Sequence, residues 1–223
     1  MSQMSNPDHP QGTRSAPGDA TDRIRAAIYD GTLASGELLI EEELQAWLGV
    51  PAEDVRAALT SLEQLGLVET APQRHTRVAQ PRVEDRTAVL QTLGALVSGV
   101  VRVTVPTLTA GQRTELIAFV EHTMATVEVE DADAHGRCIW GLVDRFLKHC
   151  ANPVLVAATA DVIGALAYRL AATRSAETVE WADLRVGYPH LRSSIAAGDA
   201  VGAELAMEHV FRLQVPLHDL EVH

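Results

Sequence analysis

Two cysteines, Cys138 and Cys150, are the residues of this 223-residue sequence that could support redox chemistry. They lie twelve positions apart on a segment with helical periodicity, so at about 1.5 Å per residue their Cα atoms are roughly 18 Å apart. A disulfide needs Cα atoms within about 7 Å of each other. We therefore expect two reduced thiols, as in a cytoplasmic protein, and redox sensing remains the alternative.

The sequence lacks the short motifs of common enzyme classes. It contains no Gly-rich phosphate loop, no Cys-x-x-Cys pair, no His-Glu-x-x-His helix and no Gly-x-Ser-x-Gly elbow. Each of these motifs holds a nucleophile, a metal or a phosphate at a fixed spacing, so their absence removes the usual catalytic centres. We predict that the chain is not an enzyme and has no cofactor.

The charge of the chain is unevenly distributed. Its net charge of −12 argues against a nucleic-acid partner, because phosphate neutralisation supplies most of the non-specific affinity for DNA. Residues 20–54, however, carry eight acids and two arginines, whereas residues 55–82 carry four arginines and two acids. The second segment, with a net charge of +2, is where contact with an anion is expected.

Helical periodicity and turn residues organise residues 20–80. The stretch DRIRAAIYDG has one apolar face and follows Thr21, which we expect to cap the helix. EEELQAWLG predicts a second helix, and Gly49-Val50 predicts a turn before a third helix containing VRAAL. A β-favouring run with a polar, Pro-containing tip then predicts a hairpin that ends near Val78. Residues 20–80 should therefore form a winged helix-turn-helix, preceded by a disordered tail at residues 1–19.

From residue 83 onward the pattern is almost wholly helical. Six periodic segments are separated by Pro, Gly and Asn, at residues 88–103, 110–127, 133–150, 154–173, 181–197 and 200–215. We predict an antiparallel helical bundle over residues 83–217, which makes the fold class mainly α with a small β-hairpin wing. No apolar run reaches the roughly 18 uninterrupted residues of a spanning helix, so no membrane partner is expected.

Many fixed spacings between residues 24 and 78 resemble one family. The run IRAAIYDGTLASGELLIEEELQAWLGV, followed by VRAAL and GLV, resembles the GntR-type bacterial transcription regulators. The helical second half is similar to the effector domain of their FadR-like subfamily. The resemblance implies a homodimer that contacts operator DNA through a recognition helix and a wing. It also implies a small-molecule effector that binds in the helical domain and alters DNA binding.

The resemblance also implies which residues contact DNA. Arg56 occupies the place of the family's DNA-contacting arginine, where a guanidinium can reach a phosphate or a guanine edge. Arg74 at the wing tip is the second candidate, and Thr60 and Arg77 complete the set. Pro51-Ala52 replaces the usual Ser-Arg, Glu53 and Asp54 add carboxylates beside it, and His75 replaces a wing glycine. These departures keep open an alternative, a winged-helix protein-interaction module with weak or lost DNA binding.

The family's effector domains often bind a divalent metal through one Asp and three His. Aligned on Asn152-Pro153 and on Gly198-Asp199, the four ligand positions of this chain are Ile139, Val143, Tyr188 and Val210. We therefore predict that no metal is bound. The alternative is a shifted site from Asp144, His149, His190 and His209, which lie one or two residues out of register and so point elsewhere on their helices.

Without a metal, we expect the effector to be apolar or acidic. An apolar pocket is predicted from Leu90, Leu93, Val97, Val101, Trp140 and Tyr168. An acidic head group could be anchored by an arginine, with Arg102, Arg137, Arg145 and Arg169 as equal candidates. The ligand-binding residues that we predict are Trp140, Arg137, Tyr168, Tyr188 and His190.

Overall fold

The computed structural model describes residues 17–70, 76–173 and 179–213. The chain divides into two compact units on either side of the Gln80–Pro81 bond. Both units are mainly helical, and the first also contains a three-stranded antiparallel sheet. This architecture confirms the predicted fold class. The predicted wing tip with Arg74 and His75, and all but the last three residues of the predicted disordered tail, lie outside the described residues.

Over residues 17–70 and 76–80, the first unit combines three helices with three short strands. In chain order these are α1 Pro17–Asp30, β1 Leu38–Leu39, α2 Glu41–Leu48, α3 Ala52–Gln64, β2 Val68–Thr70 and β3 Thr76–Val78. Strand β3 lies between β1 and β2, with Leu38 opposite Arg77 and Val68 opposite Val78. Strand β1 was not predicted, because two residues are too few to show an alternating pattern.

The prediction that Thr21 caps the first helix is wrong. Helix α1 begins at Pro17, a residue suited to the first turn of a helix, and Asp19 places a carboxylate near its positive end. Ala20 is 1% exposed and extends the apolar face formed by Ile24 and Ile28 by one turn toward the N-terminus. Packing of this extra turn places Thr21 inside the helix.

The turn between α2 and α3 is tight. Gly49 ends α2 with a φ of +70°, a backbone conformation that side chains other than glycine rarely adopt. Helix α1 also stabilises this turn, since the guanidinium of Arg23 donates a hydrogen bond of 2.9 Å to the carbonyl of Leu48. The side chains of Leu44, Val55 and Leu62 are buried behind the turn, which holds α3 with its opposite face outward.

In its described residues, 81–173 and 179–213, the second unit is a bundle of six helices with two short 3₁₀ turns. The helices are α4 Arg86–Thr104, α5 Ala110–Glu128, α6 Ala132–His149, α7 Pro153–Ala172, α8 Trp181–Ala197 and α9 Ala200–Val210. Helix α9 ends five residues earlier than predicted, because Arg212 adopts a positive φ of 57° and a helix cannot continue through that conformation. The bundle core is one continuous apolar cluster centred on residues such as Leu93, Leu142, Phe146 and Leu191.

Two glycines let α9 pack closely against its neighbours. A Cβ added to Gly187 of α8 would lie 2.7 Å from Val210 Cγ2, and one added to Gly94 of α4 would lie 2.7 Å from Phe211 Cβ and overlap the Leu213 side chain. By contrast, a Cβ on Gly99 of the same helix α4 would meet no atom within 4 Å. Helix α9 and the turn after it therefore depend on the missing side chain at Gly94.

This contrast predicts opposite effects of one substitution at two sites. Gly99→Ala should raise the free energy of unfolding by about 0.5–1 kcal/mol, because alanine is the better helix former. Gly94→Ala should lower it by about 1–3 kcal/mol, because the methyl group would overpack the contact with Phe211 and Leu213, directly after α9. Urea unfolding of both variants, followed by circular dichroism, measures the difference. An equal gain in stability at both positions would contradict the close approach of α9 to α4.

Two helical segments are long and apolar enough to cross a membrane by length and composition alone. They are residues 83–107, around α4, and helix α7. Each contributes side chains to the bundle core, with Val97 and Val101 from α4 and Ile163 and Leu170 from α7. Core helices of soluble proteins pass the same test of length and composition. Only 22% of the apolar window of α7 is buried, however, so much of this helix is uncovered in the single chain.

Candidate DNA-binding surface and ligand cavity

Helix α3 presents one face to solvent. Its buried side chains, Val55, Ala58, Leu59 and Leu62, recur at helical spacing and pack inward. The opposite, outward face is formed by the exposed residues Glu53, Arg56, Ala57, Thr60, Glu63 and Gln64. The predicted contact residues Arg56 and Thr60 therefore lie together on one solvent-facing stripe, one helical turn apart.

Arg56 is exposed but held by an ion pair. Its side chain is 64% exposed, and its Nε donates a hydrogen bond of 2.8 Å to Glu41 Oε2 at the start of α2. Thr60 turns its hydroxyl toward the helix, where it donates to the Arg56 carbonyl at 2.9 Å. Contact between Arg56 and a phosphate or base would therefore have to replace the Glu41 carboxylate.

On the described strands of the wing, the predicted DNA-contacting arginine is also paired with a carboxylate. Arg77 of β3 lies directly opposite Glu69 of β2, and its guanidinium contacts Glu69 Oε2 at 3.0 Å. Both side chains are a little under half exposed. Arg74 lies outside the described residues, so the structure places three of the four predicted DNA contacts and pairs two of them with carboxylates.

The N-terminus of α3 lacks a side-chain cap. Pro51 occupies the N-cap position in extended conformation and offers no hydroxyl or carboxylate to the first backbone N–H groups. Such N–H groups attract phosphate, but the carboxylates of Glu53 and Asp54 lie in the same turn. The outward face of α3 carries one arginine and two glutamates, Glu53 and Glu63, so its net charge is −1.

The Arg56–Glu41 pair predicts that removing one carboxylate strengthens DNA binding. Glu41→Gln should raise affinity about two- to fivefold, since an exposed ion pair is worth at most about 1 kcal/mol and one repulsive charge is removed as well. Glu42→Gln is the matched control, because it removes the same charge from the neighbouring position. Fluorescence anisotropy with labelled duplex measures both affinities. Equal gains would show that general repulsion, rather than the ion pair, limits Arg56.

The second unit contains a partly open cavity of about 70 Å³. Helices α4, α6, α8 and the end of α9 supply most of its wall, which is mainly apolar. The lining residues are Arg86, Leu90, His135, Gly136, Ile139, Trp140, Leu170, Val179, Glu180, Asp183, Leu184, Val210, Phe211 and Arg212. This is the region of the bundle where the sequence predicted a ligand, but the wall differs in composition from the predicted one.

The structure brings few of the predicted ligand residues to this cavity. Trp140 lines the cavity, and Tyr188 is fully buried and hydrogen-bonded to the lining residue His135. Arg137 and His190 are exposed and do not line it, and neither does the half-buried Tyr168. Of the other apolar residues predicted for the pocket, Leu90 lines the cavity, whereas Leu93, Val97 and Val101 are buried in the helix core.

His135 is a cavity residue that sequence reasoning missed. Its Nε2 lies 2.8 Å from the Tyr188 hydroxyl, and its ring makes edge contacts with Tyr188 and Trp181 at centroid distances of 5.8 and 5.9 Å. Burial raises the pKa of Tyr188 well above its ordinary range, so the phenol keeps its proton. The phenol can therefore donate to the His135 ring, and the tautomer of the ring sets the roles of its two nitrogens.

A cluster of charges lies on the cavity wall. The guanidinium of Arg212 contacts Glu180 Oε1 and Asp183 Oδ2, each at 3.2 Å, and so joins the end of α9 to the start of α8. Arg86 donates a hydrogen bond of 3.3 Å to the Leu170 carbonyl. The formal charges of these four lining side chains sum to zero.

Three of the four positions of the family's metal ligands hold aliphatic residues in this chain, and the fourth holds Tyr188. Ile139 and Val210 line the cavity, and Val143 is buried one turn after Ile139 on α6. Among the described residues, no group of three or more His, Cys, Asp or Glu side chains could hold a metal ion. Of the shifted candidates, His149 contacts Gln112 and Glu115, whereas Asp144 and His190 are exposed. The residues present among the described ones therefore do not fit a metal centre.

Residues 18–78 match the family model described as bacterial regulatory proteins, gntR family. The matched segment contains α1, the turn at Gly49, the outward face of α3 and strand β3. Residues 18–78 therefore form a DNA-binding helix-turn-helix domain of the gntR family of transcription regulators. This class agrees with the prediction that the chain is not an enzyme. No curated protein sequence matches it.

Solved structures share its fold over most of the chain. E. coli McbR/YncC is 20% identical, with a TM-score of 0.59, and the match covers 91% of the present chain and 97% of that chain. A transcriptional regulator GntR from Rhodococcus sp. RHA1 is 21% identical, with a TM-score of 0.59 and coverage of 88% and 93%. At these identities the likeness shows the fold, an all-helical domain after the helix-turn-helix domain, which is consistent with the FadR-like subfamily.

Proposed function

We propose that this gntR-family regulator is a cytoplasmic, homodimeric repressor that binds operator DNA and releases it when a small molecule enters the helical unit. The observation that carries the proposal is the exposed guanidinium of Arg56 on the outward face of α3, within a winged helix matched by the family model. A recognition helix in the major groove reads bases through such side chains near its N-terminus.

The cavity supports the ligand-responsive part of the proposal. It lies entirely within the second unit, and its wall combines apolar side chains with a few polar groups, as small-molecule sites do. The ion pairs of Arg212 join α9 to α8 at the wall, so a ligand that displaces this side chain would alter the packing of two helices. Through such a change in packing, binding of a ligand in the helical unit can alter the affinity for DNA.

The exposed face of α7 supports the homodimer. The helix has a mean hydropathy of 1.6 over an 18-residue window, and Val154 at its start is 77% exposed. Ala157 and Ala158 are also exposed, and the charged residues of α7 are Asp161 and Arg169, of which Arg169 pairs with Asp85 at 3.3 Å. Monomeric proteins rarely leave so apolar a surface uncovered, so we assign this face to a second copy of the chain.

Selection of bound duplexes from a random pool with the purified protein tests the proposal. The expected product is a two-fold symmetric site with half-sites about one helical turn apart, because each protomer of a homodimer supplies one recognition helix. Enrichment without symmetry would contradict the dimeric mode of binding. No enrichment at low salt would contradict operator binding itself.

The net charge of −1 on the outward face of α3 favours a second candidate, a protein-interaction module. The salt dependence of duplex binding separates the two functions. A regulator that neutralises several phosphates loses affinity steeply as salt rises, by a slope in log K against log salt of about −0.9 per phosphate contact. A slope near zero for the wild type, with no preferred sequence, would favour the interaction module.

A further inference from the structure

Glu53 occupies the middle of the outward face of α3. It lies in the first turn of the helix, and its side chain is exposed. At about 100° per residue, Ala57 and Gln64 fall within roughly 40° of Glu53 around the helix axis. Arg56 falls about 60° to one side, where its guanidinium contacts Glu41. Since a recognition helix contacts base edges through its N-terminal residues, Glu53 would face the bases in an operator complex.

The Glu53 carboxylate is not engaged by another side chain. Arg56 is paired with Glu41, and Arg77 is paired with Glu69. Among the described residues, by contrast, no hydrogen bond or ion pair involves the side chain of Glu53. A base that binds this carboxylate therefore displaces only water, whereas a base or phosphate at Arg56 must displace a carboxylate.

A carboxylate distinguishes the four bases by the groups that they expose in the major groove. It can only accept hydrogen bonds, and the donors there are N4 of cytosine and N6 of adenine. Adenine N6 lies beside the acceptor N7, which repels a carboxylate, and guanine and thymine expose acceptors. Cytosine is therefore the base that a glutamate at this place favours.

The same carboxylate repels the DNA backbone. Glu53 contributes to the net charge of −1 on the outward face of α3, which lowers the general affinity for a duplex. Phosphate contacts position a protein on the duplex, but contacts with base edges specify the sequence. An acid in the first turn of α3 therefore weakens binding to every sequence, and weakens it least where a cytosine satisfies the carboxylate.

We propose that Glu53 is a specificity residue that accepts a hydrogen bond from N4 of one cytosine in each operator half-site. On a helix, Cβ atoms three residues apart are about 5–6 Å from each other, and stacked base pairs are about 3.4 Å apart. The cytosine therefore lies in the base pair nearest Arg56 or in a neighbouring pair. This inference rests on the proposed operator binding and names the base that the recognition helix selects.

Operator selection with the full-length wild type, Glu53→Gln and Glu42→Gln tests the assignment. The wild type should enrich a cytosine at one fixed position of each half-site. Glu53→Gln should replace that cytosine by adenine, because glutamine donates to N7 and accepts from N6. Glu42→Gln removes the same charge from an exposed position in the first turn of α2, and it should keep the cytosine. An unchanged cytosine in Glu53→Gln, or its loss in both variants, would overturn the assignment.

Anisotropy titrations with duplexes that differ in this base pair alone measure the size of the preference. The wild type should bind the cytosine duplex about tenfold more tightly than the thymine duplex, since thymine places its O4 acceptor against the carboxylate. Glu53→Gln should reduce this ratio to about twofold or less, and Glu42→Gln should leave it unchanged. The ratio should persist as salt rises, because salt screens general repulsion and both duplexes carry the same phosphates. If Glu53→Gln strengthens binding to both duplexes equally, Glu53 only repels DNA and the assignment fails.

The outcome is separable from that of the proposed function. A symmetric selected site with no position at which Glu53→Gln changes the preferred base would overturn the role of Glu53 and leave operator binding standing. Failure of the wild type to bind any duplex at low salt would overturn operator binding and the role of Glu53 together. Binding by Glu53→Gln alone would show that the carboxylate acts only as a repulsive charge, which also overturns the assignment.

Discussion

Arg56→Ala is expected to weaken binding to the selected operator by about 5- to 150-fold, or roughly 1–3 kcal/mol, if its guanidinium reads a base. On the outward face of α3 Arg56 is the one positive charge, and its side chain is 64% exposed. If it contacts phosphate only, the loss should be smaller and uniform across sequences, and the salt slope should fall by about one. Anisotropy titrations on the operator and on a scrambled duplex at several salt concentrations distinguish the two cases.

Arg102→Ala is the matched control for this substitution. Arg102 lies in α4 of the second unit, is 45% exposed and forms a pair of the same 2.8 Å length with Glu204. Its removal deletes one positive charge and one exposed ion pair and leaves the sequence of the winged helix unchanged. An equal loss of DNA affinity in the two variants would mean that α3 does not face DNA, and the interaction module would become the better account.

Ala158→Arg is expected to convert the protein from a dimer to a monomer at micromolar concentration. The substitution places a charge on the exposed face of α7, where burial in an apolar interface would leave the guanidinium without a partner. Light scattering should report a change from twice the chain mass of 24.0 kDa to once that mass. Operator affinity should fall by orders of magnitude, because a monomer supplies a single recognition helix.

Ala196→Arg provides the control for surface charge, since Ala196 is exposed on α8 and lies apart in sequence from the α7 face. It should remain dimeric. A dimer in Ala158→Arg and a monomer in Ala196→Arg would move the interface from α7 to α8. A wild-type protein that is monomeric with and without DNA would contradict the homodimer altogether.

Much of the fold could be predicted from the sequence because its helices begin and end for local reasons. Helix α8 has the bounds predicted for it, Trp181–Ala197, and it ends at Gly198, whose φ is +72°. Helix α5 begins as predicted at Ala110, where Thr109 and Gln112 form a capping box. Caps, glycines and apolar periodicity act within one or two turns, so they can be recognised without knowledge of the neighbours in space.

The cavity could not be predicted in the same way, because its polar groups meet only through packing. His135 and Tyr188 are 53 residues apart, and Arg212 lies 32 residues from Glu180. Nothing in the local sequence of either partner indicates the other, and although Tyr188 was predicted to bind a ligand, its contact with His135 was not. The sequence by itself determined the helices, the turn at Gly49 and the outward position of Arg56, since each depends on local periodicity and backbone conformation. The tertiary structure alone decided that Glu41 pairs with Arg56, that Tyr188 contacts His135, and that His135 and Arg212 line one cavity, because long-range packing brings together side chains that no local interaction connects.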